Sequence, residues 1–197
     1  RAADYFAQAR KPRAEWKKLE DLNAQLAEFE LRCEAGDYDT AADVLTEIDG
    51  EYLLLWGHYR LVIDLHGRLQ GKINDKGLAR ISVGNSGHAL LSIGNVKKAI
   101  NNFEQALSMA REAKNRQAED TWLGSIGNIY YLLGDTTKSI KFYEQQLIIT
   151  VEIGDKKNES NALGNMGNAY ADLGDARKAI EFYERALVIA RELGDRS

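Results

Sequence analysis

The chain has 197 residues, 44% of them hydrophobic, with 26 Lys and Arg against 30 Asp and Glu and a formal net charge of −4. No stretch approaches the roughly 18 consecutive apolar residues of a membrane span, and the balanced charge offers no basic stripe, so neither a membrane nor DNA or RNA is an expected partner. A single cysteine, Cys33, excludes an internal disulfide and favours a reducing, cytoplasmic setting, and one proline against 17 glycines suits a helical protein.

In chain order, Trp16, Leu19, Leu22, Leu26, Phe29 and Cys33 mark one face of a long helix that ends at Gly36-Asp37. A partner helix follows, carrying Ala41. Beyond Asp49-Gly50, the run Tyr52, Leu55, Trp56, Tyr59, Val62 and Leu65 predicts a second strongly apolar helix ending near Gly71, with Asp75 capping the next. Residues 1–77 therefore read as a degenerate helical repeat and N-terminal capping helices, which seal one end of a stack.

Residues 78–197 repeat every 40 residues: Ile81–Asn95, Thr121–Asp135 and Asn161–Asp175 share one register. In the last copy Leu163, Met166, Ala169, Tyr170 and Leu173 recur at helical spacing, and Ala179, Ile180, Tyr183, Leu187 and Ala190 do so after Gly174-Asp175. Each repeat is thus two antiparallel helices, with Gly134-Asp135, Gly154-Asp155, Gly174-Asp175 and Gly194-Asp195 as stop-and-start punctuation. Glycines three apart (Gly84 and Gly87, Gly124 and Gly127, Gly164 and Gly167) share a helical face despite a helix cost of about 1 kcal/mol each. They predict a close crossing against Ala99, Ser139 and Ala179, flanked by Phe103, Tyr143 and Tyr183. The chain stops where the period calls for another repeat, and the last helix, 177–193, is expected to expose apolar surface open to end-to-end self-association.

This pattern resembles the tetratricopeptide repeats: a small glycine, tyrosine three residues on, glycine at the turn, then Ala179, Tyr183 and Ala186 on the second helix. The 40-residue period and the Leu163-Gly164-Asn165 signature resemble the extended subclass found in spindle-orientation adaptors, kinesin light chains and bacterial signalling proteins. The resemblance implies an all-α, right-handed superhelical solenoid of antiparallel helix pairs, nine or ten helices in all.

Local chemistry is sparse. Gly67 to Gly71-Lys72 has its glycines one residue too close for a phosphate loop, and Ile73 replaces the hydroxyl that would hold Mg²⁺. Asp37, Asp39 and Asp43 lack the glycine and distal glutamate of a calcium loop, and His58 and His66 lie about 12 Å apart along a helix, too far to share a metal. No enzyme, metal or cofactor is expected. Following the resemblance, the groove-facing rows carry Asn85, Ser125 and Asn165, then His88, Asn128 and Asn168, with Asn161 at one end and Tyr131 at the other. Asparagine both donates and accepts, so such rows are candidates to hold the backbone of an extended peptide. Ile81, Asn85, Thr121, Ser125, Asn161 and Asn165 stand on the rows where relatives that capture a terminal carboxylate carry Lys and Arg, which disfavours that ligand. The expected function is a protein-interaction module, the sensor or scaffold arm of a larger signalling protein. The opening Arg1-Ala-Ala-Asp-Tyr-Phe and Ala35-Gly-Asp-Tyr-Asp resemble the junction after the core of multidomain signalling ATPases. The alternative is an architectural or self-association arm with no separate ligand.

Overall fold

The computed structural model describes residues 2–194. Asp195, expected to start a further repeat, lies outside them. Ten α-helices run in order among the described residues: α1 (Ala2–Gln8), α2 (Asn23–Glu34), α3 (Tyr38–Thr46), α4 (Tyr59–Leu69), α5 (Lys76–Ser92), α6 (Val96–Glu112), α7 (Arg116–Leu132), α8 (Thr136–Ile153), α9 (Lys156–Asp172) and α10 (Ala176–Gly194). None is long and apolar enough to cross a membrane. The chain forms two compact units, residues 1–106 and 107–197.

The second unit is built as the repeat predicts. Side chains of Asp135, Asp155 and Asp175 accept from the amides of Lys138, Asn158 and Lys178 at 3.0–3.1 Å, capping α8, α9 and α10. Gly134 and Gly174 hold the intervening turns with φ of 77° and 78°. The turn before α7 has Lys114 at φ 53° in place of glycine, the one non-glycine among the described residues in the left-handed region. Within each helix pair, Tyr130 of α7 stacks on Phe142 of α8 and Tyr170 of α9 on Phe182 of α10, with Lys138 and Lys178 over the tyrosine rings.

The glycine faces are filled by rings. A Cβ on Gly127 would lie 2.6 Å from Tyr143 Cε1, one on Gly167 2.5 Å from Tyr183 Cε1, and one on Gly87 2.7 Å from Phe103 Cε1. The aromatic residues, expected beside the crossing, sit directly on the glycines, while Gly124 makes room for the amide of Gln146. Gly164, expected at a tight contact, has nothing within 4 Å of its Cβ position.

The first unit departs further from its pattern. The helix expected from Trp16 begins only at Asn23, because 3₁₀ turns at Arg13–Glu15 and Leu19–Leu22 precede it. Trp16 still enters the core, its ring nitrogen donating to the Lys11 carbonyl at 2.9 Å. The expected continuous helix through Tyr52 and Leu65 is likewise two pieces, a π-helix at Asp49–Leu54 and then α4, parted by Gly57 at φ 80°. Leu22, Phe29, Leu45, Ile48, Leu53 and Leu69 form the core at 0% exposure.

A buried polar chain runs through this core. His66 Nε2 lies 2.9 Å from Asp49 Oδ2 and its Nδ1 2.8 Å from Ser82 Oγ, and Asn85 donates to the same Asp49 oxygen at 2.7 Å. Gly71 ends the α4 region in a left-handed turn, burial raises the Cys33 thiol pKa, and Asp39 accepts from the backbone amides of Asn74 and Asp75. Among the described residues no three His, Cys, Asp or Glu side chains converge as a metal site requires.

Candidate functional site

In the second unit α7 and α9 lie side by side, and stepping 40 residues from one to the next turns one helix position into a row. Between them opens a cleft of about 810 Å³, lined on one side by Ser125 and Asn128, on the next by Asn161, Asn165 and Asn168, and closed by α10 through Tyr183 and Leu187. Five of the eight predicted site residues thus share one surface. Asn128, Asn161 and Asn168 are exposed, and Ser125 and Asn165 half-buried.

Their amides are oriented by the ring layer. Tyr143 donates its hydroxyl to Asn128 Oδ1 at 2.8 Å, and Tyr183 donates to Asn168 Oδ1 at 2.7 Å. Burial pushes the Tyr143 hydroxyl up to about 12, with Tyr131 nearby adding to the rise, so it stays a donor at neutral pH. With each oxygen held, the Nδ2 groups of Asn128 and Asn168 are left to donate outward. Asn165 donates its own Nδ2 to Asn128 at 3.3 Å, leaving its oxygen as an acceptor. Ser125 turns its hydroxyl back to the Thr121 carbonyl at 2.9 Å. The surface therefore offers both donors and an acceptor.

Three predicted residues are placed differently. Tyr131 stands outside the cleft lining, facing Asp172, whose carboxylate raises the tyrosine hydroxyl pKa above its ordinary value. Asn85 and His88 belong to the first unit. There the Asn85 amide is tied to Asp49, and His88 packs edge-on against Phe103 at 4.8 Å, its pKa lowered by burial. The equivalents of Asn128 and Tyr143 are here His88 and Phe103, and a phenylalanine ring has no hydroxyl to orient anything.

Sequence reasoning missed the floor of the cleft. Asp120 and Gln146 line it, at 0% and 7% exposure, and Asn158 donates to Asp120 Oδ2 at 2.7 Å. Burial raises the Asp120 carboxyl pKa, an effect partly offset by the Gln146 and Asn158 amides. The signal was faint: Asp120 precedes Thr121, where the repeated segment begins, and a lone acid there reads as surface.

Tandem helix pairs carrying a polar inner surface and an aromatic layer define a helical-repeat interaction module. The tetratricopeptide repeat profile matches residues 77–147 and 117–192, and the chain belongs to that family. No curated protein sequence matches it significantly. Among solved structures, the apo form of RapI superposes at a TM-score of 0.78 with 14% identity over 98% of this chain and 69% of its own. The tetratricopeptide domain of Arabidopsis FLU gives 0.56 with 24% identity, covering 59% of this chain and 98% of that domain. A Rap protein complexed with Competence and Sporulation Factor gives 0.59 at 16% identity, with 96% of this chain and 58% of the other covered. At these identities the likeness is one of fold.

Proposed function

We propose that the second unit binds an extended protein or peptide segment in the cleft between α7, α9 and α10, as the sensor or scaffold arm of a larger signalling or regulatory protein. The observation that carries this reading is the pair of hydroxyl-fixed amides. Asn128 and Asn168 sit on exposed surface with their oxygens already occupied, so two preset donors face the cleft at the cost of ordering only one partner. Backbone carbonyls of an extended ligand would accept from them, and ligand amides would donate to Asn165. Family membership supports binding in preference to catalysis, and a Rap protein of similar fold is known in complex with Competence and Sporulation Factor.

The triple change Asn128→Ala, Asn165→Ala, Asn168→Ala tests it. With net hydrogen bonds of about 1 kcal/mol each, affinity for a selected peptide should fall on the order of a hundredfold. Tyr143→Phe, which frees the Asn128 amide without removing it, should weaken binding roughly threefold to tenfold. Unchanged affinity in a folded triple variant would remove the cleft as the binding surface.

A further inference from the structure

Two acceptors in the cleft have no donor. Asp120 Oδ1 and Gln146 Oε1 are shielded from solvent and lack any hydrogen-bond partner, and both residues line the same cleft. The Gln146 amide lies close enough to the Asp120 carboxylate to offset part of the rise in its pKa, while Oδ1 itself stays unpartnered. Such groups are rare in interiors, because an unpaired buried acceptor is destabilising and a charged one more so. Gly124 helps create the arrangement, since a side chain there would meet Gln146 Nε2 at 2.6 Å.

Nothing in the wall supplies the missing charge. No Lys or Arg lines the cleft, and the cations of neighbouring turns are engaged elsewhere. Arg111 pairs with Glu119 at 2.8 Å, Arg116 with Glu119 and Glu152, and Lys156 with Glu159 at 2.8 Å. Beside Tyr183, α10 lines the same cleft with apolar Ala186, Leu187 and Ala190.

We infer that this corner is a subsite for a cationic side chain of the bound segment, and that the residue is arginine. The inference rests on the reading of the cleft as a peptide groove. A guanidinium presents five donors in a planar fork, which suits two acceptors borne by different helices, Asp120 on α7 and Gln146 on α8. It is more weakly hydrated than an ammonium and so enters a dry site more readily. Its methylene stem lies against apolar surface such as the α10 wall. The neutral asparagine rows hold the backbone, and the buried carboxylate selects the residue.

The test is selection of a random heptapeptide library on the whole chain, followed by fluorescence anisotropy of an enriched peptide. Arginine should be enriched at one position, and replacing it with citrulline, its neutral isostere, should weaken binding roughly tenfold to a hundredfold. Asp120→Asn should erase the difference between the two peptides. The citrulline comparison on unaltered protein decides the matter even if that variant does not fold. Enriched peptides with no cationic preference, whose binding still fails in the triple asparagine variant, would overturn the subsite and leave the groove standing. No enrichment at all would overturn both.

Discussion

An alanine series at three glycines separates a packed repeat from a merely helical one. A methyl group on Gly127 would lie 2.6 and 2.8 Å from Tyr143 Cε1 and Cδ1, so the ring must retreat by about 1 Å to reach ordinary contact. It has nowhere to go, at 1% exposure and with its hydroxyl on Asn128. Overpacking costs about 1–3 kcal/mol and the strained hydrogen bond about 1 more, against about 1 returned by helix propensity. Gly127→Ala should therefore be destabilised by about 1–3 kcal/mol, lowering Tm by roughly 2–4 °C for each. At Gly167 the clash is as close, 2.5 Å, but Tyr183 is 40% exposed and can swing aside, so stability should stay within about 1 kcal/mol of wild type while Asn168 loses its partner. Gly164 meets nothing, and its alanine variant should gain up to about 1 kcal/mol. Thermal and urea melts give the order directly. A Gly127→Ala protein as stable as Gly164→Ala would refute the ring-on-glycine account.

The other predictions concern buried polar groups. Because the folded Asp120 carboxyl titrates above its ordinary 3.8, the native state binds the proton more tightly than the unfolded chain. Its contribution to stability falls as pH rises from 3.8 through the folded value and is at its most unfavourable at pH 7. Asp120→Asn should accordingly melt higher than wild type at neutral pH and lose that advantage below pH 3.8, a crossing readable in melts between pH 3 and 7. In the first unit, Asp49→Ala strands the His66 and Asn85 nitrogens that it now receives and should cost about 2–5 kcal/mol in urea unfolding, whereas Ser82→Ala should cost about 1. Equal effects of the two would dismiss Asp49 as the hub.

What the sequence made legible was local or periodic. Gly134-Asp135 and Gly174-Asp175 announce their turns because a left-handed residue and a cap are each decided within four positions. The breaks at Leu19–Leu22 and Gly57 were illegible because apolar residues continue at helical spacing straight through them. Burial of Trp16 and Leu53 in one core overrides the helix that the spacing permits. His66 looked ordinary for a related reason: its partners lie 17 residues before it and 16 after, a reach no motif encodes.

The site itself was half legible, for a reason that lies in how a repeat is read. Taking each column alone puts Asn85, Ser125 and Asn165 in one row and His88, Asn128 and Asn168 in the next, as though every rung were equivalent. The structural element is a pair spaced 15 residues apart, an amide on the first helix and a hydroxyl on the second, as in Asn128 with Tyr143 and Asn168 with Tyr183. Where the second member is Phe103, the first is His88, and the two pack as rings. The loss of one hydroxyl thus goes with the loss of the amide it would have aimed, and the neighbouring Asn85 turns inward to Asp49. A repeat preserves backbone geometry at the cost of one glycine in the first helix, but it presents a donor only where both side chains of the pair are kept.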